Sequence, residues 1–164
     1  MRFIGLDPST KTGFVALNTA GEVLEAKELT GAGKEDPARM ASLIETIMRQ
    51  INPDDMVCIE GFGFASQQAV QLGGIGWGIR MALYRRGILY QEASPSQVKK
   101  FATGKGNTPK DGMPVPIFKR WGFEHKSNNV TDAFVIAQIG RALTLPGLEL
   151  TKYQTEVIQA IRAK

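Results

Sequence analysis

The sequence has little of the residue types that most often build disulfides and zinc sites. It holds one cysteine and one histidine among 164 residues, which excludes an intramolecular disulfide and a cysteine-cluster zinc site. Cys58 stands in the apolar run MVCIEGF, where a small buried thiol is expected. A metal bound by this chain would therefore be held mainly by oxygen ligands.

Long apolar runs and a strong excess of one charge are also missing. No window approaches the roughly 18 apolar residues of a membrane-spanning helix, and the apolar stretch in MRFIGLDPST is too short for a signal peptide. We therefore expect a cytoplasmic protein without membrane contact. The 20 Lys+Arg against 16 Asp+Glu give a net charge of +4, which allows a nucleic-acid partner but does not indicate one by itself.

The composition is that of a folded protein with a surplus of glycine. Hydrophobic residues make up 43% and charged residues 22% of the chain, close to globular averages. The length predicts one domain over residues 1–164. The 18 glycines exceed the roughly 7% average, so we expect their positions to be informative.

The order of apolar patterns predicts an α/β fold. Three short strands separated by turns indicate an antiparallel meander, and two later strands alternate with amphipathic helices. We expect a five-stranded mixed sheet, made of the three-strand meander and two parallel strands, with helices on both faces. The predicted strands are 2–7, 14–17, 22–29, 56–59 and 88–91, and the predicted helices are 37–51, 66–86, 94–102, 110–121, 129–143 and 151–163.

Three acidic residues have unusual positions. Asp7 and Glu60 each follow four mainly apolar residues at the end of a predicted strand, and Asp132 lies in the first turn of the apolar helix TDAFVIAQI. Singly, each has a structural explanation: a turn cap, a lysine pair or a helix N-terminus. Together, carboxylates that converge at one sheet edge repel each other unless a cation lies between them. Oxygen ligands of this kind suit Mg²⁺ or Mn²⁺.

Several motifs resemble one nuclease family. MRFIGLDPSTKTGFVAL, IEGFGF and TDAFVIAQIG are similar to the three acidic elements of RNase H-like nucleases. The segment from Gln71 through SPSQVKKFATGKGNTPKDG resembles RuvC-type Holliday junction resolvases, in particular the phage-type branch. The resemblance covers about residues 1–145 in order, and implies an RNase H-like fold and a homodimeric endonuclease that cuts four-way junctions and other branched DNA with two metal ions and no nucleotide cofactor.

The resemblance also implies roles for individual residues. Asp7, Glu60 and Asp132 would bind the metal ions, with Asp7 bridging them, and Lys110 would stabilise the transition state. Asn129 occupies the slot of a fourth ligand, where relatives have a carboxylate or histidine. The alternatives for that ligand are Asn128 and His125, and Asn129 could instead be an inactivating substitution.

Aromatic and basic residues beside these acids are candidates for DNA contact. Phe62 and Phe64 could stack on unpaired bases at a junction, or could pack beneath their own loop. A basic stretch over 99–126 provides positive charge for phosphates; its candidate contacts are Lys99, Lys100, Lys105 and Lys110. Lys99 and Lys110 match family positions near the scissile phosphate, although a solvated surface would explain them too.

The predicted helix 66–86 carries four glycines, which destabilise a helix by about 1 kcal/mol each relative to alanine. Close approach to the sheet or to a second copy of the helix would offset this cost, and the resemblance implies a dimer interface there. Other functions remain open at this point: an RNase H-like nuclease acting on RNA or on forked or flap DNA, or a junction-binding protein without catalysis. An actin-like ATP-binding protein needs duplicated halves, for which 164 residues leave no room.

Overall fold

The computed structural model describes residues 1–63 and 67–164. Its elements follow the order β-β-β-α-β-α-β-α-α-α-α, with a single 3-10 turn at Lys110–Gly112 within the described residues. The strands are β1 (Phe3–Asp7), β2 (Lys11–Leu17), β3 (Val23–Thr30), β4 (Met56–Glu60) and β5 (Tyr90–Ala93). The helices are α1 (Ala38–Gln50), α2 (Ala69–Arg85), α3 (Pro95–Thr103), α4 (Pro114–Trp121), α5 (Asn128–Thr144) and α6 (Lys152–Arg162).

The five strands form one mixed sheet in the order β3-β2-β1-β4-β5. β1 and β2 pair antiparallel, as do β2 and β3, whereas β1, β4 and β5 run parallel. The predicted meander plus two parallel strands is therefore confirmed. β1 is the central strand, so the residue at its carboxyl end lies in the middle of that sheet edge.

Each face of the sheet carries its own apolar core. Alternate β1 side chains divide between the faces, as the period of a strand requires: Phe3 packs with α3, α4, α5 and α6, and Ile4 and Leu6 pack with α1 and α2. The prediction of helices on both faces is confirmed. Within the described residues, no helix is long and apolar enough to cross a membrane.

The helix α5 lies against the sheet at backbone contact distance. A Cβ atom on Gly5 would overlap the backbone oxygen of Ala133, and one on Gly13 would overlap the backbone oxygen of Asn129. Only glycine permits this approach of two backbones. The first turn of α5 is therefore held directly beside the ends of β1 and β2.

Some predicted boundaries were wrong. β2 begins at Lys11 rather than residue 14 because Lys11 and Thr12 already pair with β3. The turn is confined to a few residues by hydrogen bonds between Ser9 and Thr12. The predicted helix 110–121 is divided into a 3-10 turn and α4, since Pro114 begins a new helix. β5 starts two residues later than expected, at Tyr90.

Candidate active site

The ends of two neighbouring strands bring Asp7 and Glu60 together. Leu6 of β1 is the register partner of Ile59 of β4, and the two acids follow these residues directly. Asp7 is only 7% exposed. The charge of Glu60 raises the pKa of Asp7, so the two carboxyl groups are close neighbours, as the sequence predicts.

The helix α5 supplies the third acid. Its N-cap Ser127 accepts a hydrogen bond from the backbone N–H of Val130, which starts the helix just before Asn129. Asn129 and Asp132 are three residues apart and therefore share a helix face. Nδ2 of Asn129 donates to Oγ of Ser9 at 3.1 Å and to the carbonyl of Lys11 at 2.8 Å. Because Nδ2 makes both contacts, Oδ1 is the side-chain atom that remains to meet a cation.

These residues line one cavity of about 790 Å³. Its walls include Asp7, Glu60, Asn129 and Asp132 on one side and part of α2 on the other. Two basic residues, Lys99 and Lys110, and two aromatic residues, Phe62 and Trp77, also line it. The cavity thus combines anionic, cationic and aromatic groups from six parts of the chain.

Burial and mutual repulsion make all three acids harder to ionise. Burial, followed by the charges of Glu60 and Asp132, raises the pKa of Asp7 well above its ordinary value. Burial and the charge of Asp132 raise the pKa of Glu60 to about 7, and burial raises the pKa of Asp132 to about 6. Like charges in a partly desolvated site produce this pattern.

Two lysines oppose this repulsion. The charges of Lys110 and Lys99 lower the pKa values of Glu60 and Asp132, and Lys110 acts in the same direction on Asp7. Lys99 is carried by α3, whose start is fixed by a capping box between Ser94 and Gln97. Lys110 lies on the 3-10 turn after Pro109. Both lysines are therefore close enough to the acids to act on a phosphate bound there.

The donor set fits a divalent cation. Asp7, Glu60, Asp132 and Oδ1 of Asn129 are all hard oxygen ligands. A bound cation would favour the charged form of the three buried carboxylates and relieve the repulsion that adds to the raised pKa values of Asp7 and Glu60. In residues 1–63 and 67–164, however, no three His, Cys, Asp or Glu side chains are already arranged as a cluster that could hold an ion.

The aromatic wall of the cavity is built around Arg80. The ring of Phe62 lies 5.4 Å from that of Trp77, tilted by 31°, and the Arg80 guanidinium lies 4.3 Å from the Phe62 ring centre. Phe62 is partly buried in this stack, and Trp77 is 58% exposed. Phe62 therefore packs against its own protein here, and its role in base stacking stays a prediction. Phe64 lies outside the described residues.

Other candidates are placed away from the cavity or are engaged elsewhere. Nδ1 of His125 accepts a hydrogen bond from the backbone N–H of Ser127 at 3.0 Å, and neither His125 nor Asn128 lines the cavity. Lys100 donates to Glu156 of α6 at 2.8 Å. The exposed Lys105 lies in the loop after α3, where its carbonyl accepts from the Thr103 and Thr108 hydroxyls.

Sequence reasoning missed Arg80, Trp77 and Ser9. In the sequence, Trp77 gives no signal beyond the apolar pattern of a helix. The one signal for Arg80 is a charged residue next to Ile79, within a helical stretch that the apolar spacing predicts to be buried. That signal indicates an internal partner, but it does not identify Glu60 or Phe62 as the contacts.

Comparisons with known proteins agree with this fold. No family model matches the sequence. A crossover junction endodeoxyribonuclease RuvC from Sulfurovum sp. (strain NBC37-1) is 28% identical over 147 residues, covering 84% of this chain and 92% of the relative. The solved RuvC structure from Thermus thermophilus has a TM-score of 0.64 at 20% identity, covering 84% of this chain and 91% of that one. The structure of T. thermophilus RuvC in complex with a Holliday junction substrate has a TM-score of 0.65 at 18% identity, covering 99% of this chain and 94% of that one.

The sheet order, the helices on both faces and these structural matches define an RNase H-like fold. The chain is similar to RuvC in sequence and in fold. The resemblance to the phage-type branch stays a prediction.

Proposed function

We propose that this chain is a metal-dependent endonuclease that resolves Holliday junctions and related branched DNA by phosphodiester hydrolysis as a homodimer. Three carboxylates from β1, β4 and α5, gathered in one cavity beside Lys99 and Lys110, are the observation that carries the proposal. The names of the relatives support it, since one is a crossover junction endodeoxyribonuclease and another was solved with a Holliday junction substrate.

Asp7, Glu60, Asn129 and Asp132 are the residues that would hold Mg²⁺ or Mn²⁺, as two ions in each site. When bound, such ions supply Lewis-acid stabilisation of the phosphate and of the leaving 3′-oxygen, and a water made more acidic. Three carboxylates and one neutral amide give the ligand set a formal charge of −3 when all three acids are ionised. With Asn129 in place of a carboxylate, we expect weaker cation binding than in relatives with a fourth charged ligand.

The basic residues act on the DNA itself. The charges of Lys99 and Lys110 act on the acids, and both residues line the cavity, so a phosphate entering it would meet positive charge. Lys110 stabilises the additional negative charge that develops on the phosphate in the transition state. Lys100 and Lys105 extend this basic surface along α3 and the following loop, where they contribute salt-sensitive phosphate binding.

The outer face of α2 is suited to a twofold dimer. Val70, Trp77, Met81 and Tyr84 are large side chains that are at least 49% exposed along this helix. A Cβ on Gly73 would meet no atom within 4 Å, whereas Gly74 and Gly78 face Met40 and Ile44 of α1 and Gly76 faces Phe62. Three of the four glycines therefore serve packing within the protomer, whereas Gly73 borders the cavity. The face offered to a second copy is formed by Val70, Met81 and Tyr84. Two symmetry-related sites would then cut two strands of one junction.

Incubation with end-labelled four-way junctions tests the proposal. A mobile and an immobile junction, a Y-fork, linear duplex DNA and an RNA duplex are each given the protein with Mg²⁺, Mn²⁺ or chelator, and nicks are mapped on every strand. We expect paired, symmetry-related nicks in the junctions with either metal and none in chelator.

Two other outcomes of this assay would contradict the proposal. Cleavage that prefers the Y-fork or the RNA duplex identifies a different RNase H-like nuclease. Tight binding of the junction without cleavage under any metal condition identifies a junction-binding protein in which Asn129 has replaced an essential ligand.

A further inference from the structure

Arg80 is a buried cation that the proposed chemistry does not use directly. It lies on the inner side of α2 and is only 2% exposed. Burying a guanidinium is costly unless every donor finds a partner. Its partners therefore indicate what the residue contributes.

The guanidinium joins three elements around the end of β4. Nε donates to Oε1 of Glu92 on β5 at 2.7 Å, and Nη2 donates to the backbone carbonyl of Glu60 at 3.2 Å. Nη1 donates to the carbonyl of Gly76 at 3.0 Å. Glu60 is thus fixed through its backbone from α2, in addition to the hydrogen bond from Gly61 N–H to the Ala93 carbonyl at 2.7 Å.

The same guanidinium supports the segment that follows Glu60. It lies against the face of Phe62, with 4.3 Å to the ring centre. The ring fills a notch made by Gly76, where a Cβ atom would come within 2.6 Å of Cε1 of Phe62. A cation over an aromatic face is attractive, more so when both are desolvated. Arg80 therefore holds both the residue at the end of β4 and the ring two positions later.

Direct contact with DNA does not explain Arg80. A side chain that is 2% exposed presents almost no surface to a phosphate. Within the described residues, the cations whose charge acts on the Glu60 carboxyl are Lys110 and Lys99, whereas Arg80 bonds the backbone carbonyl of Glu60. Arg80 therefore affects Glu60 by fixing the position of its backbone.

We propose that Arg80 is a positioning residue, which fixes the end of β4 so that the Glu60 carboxyl is oriented for cation binding. The inference rests on the proposed function for its link to DNA cleavage. Its link to cation binding can be measured without DNA.

The test compares Arg80→Met, which keeps much of the length and loses every donor, with Arg80→Lys, which keeps the charge and can still donate to one carbonyl. Mn²⁺ affinity is measured by calorimetry on the full-length protein without DNA. Single-turnover cleavage of a four-way junction and junction affinity in chelator are measured in parallel. Loss of a residue that orients a metal ligand costs about 10–100-fold in metal affinity or activity.

We expect Arg80→Met to lower both the Mn²⁺ affinity and the cleavage rate by about 10–100-fold. The affinity for the junction in chelator should change less than about threefold, which corresponds to roughly 0.65 kcal/mol of binding free energy. Arg80→Lys recovers part of both losses. Arg85→Met, an exposed arginine on the same helix, leaves both values unchanged. Ile79→Val, a buried neighbour, lowers stability without changing Mn²⁺ affinity.

Wild-type Mn²⁺ affinity in Arg80→Met would overturn the inference, as would an equal loss in Ile79→Val or the absence of Mn²⁺ binding in the wild-type protein. Failure of the proposed function has a different signature. If the wild-type protein binds Mn²⁺ but cuts no branched DNA, the nuclease proposal is wrong, and the Mn²⁺ affinities still decide the role of Arg80.

Discussion

Asp7 and Glu60 lie side by side at the carboxyl ends of two parallel strands, directly after the register partners Leu6 and Ile59. Burial and the charge of Glu60 raise the pKa of Asp7, and burial together with the charge of Asp132 raises the pKa of Glu60 to about 7. A divalent cation bound between the two carboxylates would offset the cost of ionising both. The first two predictions test this pair.

The substitution Asp7→Asn is expected to abolish cleavage and to preserve junction binding. It removes one carboxylate from the centre of the proposed ligand set and leaves Lys99 and Lys110 in place. We expect the single-turnover rate with Mg²⁺ to fall at least about 10³-fold, and the dissociation constant measured by gel shift in chelator to change little. The matched control is Asp54→Asn, at an exposed aspartate, and retained cleavage in Asp7→Asn would show that the acids are not the metal site.

The substitution Glu60→Gln is expected to stabilise the cation-free protein at neutral and alkaline pH. The pKa of Glu60 is about 7 in the folded protein, against an ordinary value of 4.5. Between these two values the unfolded chain releases a proton that the folded chain keeps, so the free energy of unfolding falls as the pH rises through this window. Glutamine does not titrate and avoids this loss.

Urea unfolding in chelator measures the effect. We expect the difference between Glu60→Gln and the wild-type protein to increase from pH 4.5 to 8 and to reach on the order of 2 kcal/mol. Glu124→Gln, at an exposed glutamate, should show no such trend. A difference that is independent of pH would contradict the raised pKa of Glu60.

The substitution Lys110→Met is expected to slow cleavage more than it weakens binding. The Lys110 charge acts on all three acids, so in the proposed reaction this ammonium would lie where charge develops on the phosphate. Loss of one such stabilising group costs about 10²-fold in rate, whereas one phosphate contact contributes much less to total affinity. Lys119→Met, at an exposed lysine in the last turn of α4, is the control, and an equal rate in both variants would remove Lys110 from the site.

The contact between Gly76 and Phe62 predicts a non-additive pair of substitutions. Gly76→Ala alone should destabilise the protein because its Cβ would lie 2.6 Å from the Phe62 ring. In a Phe62→Ala background, the same change should be neutral or stabilising by up to about 1 kcal/mol, because alanine is the better helix former. Thermal unfolding of the four proteins of this cycle gives the coupling, and additive effects would show that the ring does not occupy the notch.

The exposed face of α2 is the proposed dimer interface, so a single charge introduced there should separate the two subunits. Met81 is 49% exposed among the large apolar side chains of this helix, and a glutamate there would be buried without a partner in a dimer. Sedimentation at micromolar concentration should give a dimer for the wild-type protein and a monomer for Met81→Glu. Met81→Gln should dissociate less, and a monomeric wild-type protein would contradict the proposed assembly.

The sequence pattern was sufficient to predict the five-stranded mixed sheet and to single out Asp7, Glu60 and Asp132. Asp7 and Glu60 could be found because each ends an apolar run, and two parallel strands bring their carboxyl ends to one edge. Asp132 was identified from its place in the first turn of an apolar helix. These inferences use local sequence and a simple topology rule.

Other features depend on contacts between distant segments. The early start of β2 arises from its pairing with β3. The roles of Gly74, Gly76 and Gly78 depend on side chains of α1 and on Phe62, and Arg80 depends on the carbonyl of a residue 20 positions away. The local spacing of apolar residues gives no information about these distant contacts.

The backbone contacts of Gly5 and Gly13 with α5 divide the molecule into a part that tolerates variation and a part that does not. Any side chain at either glycine would push Asn129 and Asp132 away from Asp7, so this half of the site is not adjustable by gradual substitution. New substrate preferences would have to arise in loops that do not carry these contacts, such as residues 61–63 and 104–109, with Lys110 kept. Libraries that aim to change which branched DNA is bound should therefore vary those two segments and keep the sheet and α5 unchanged.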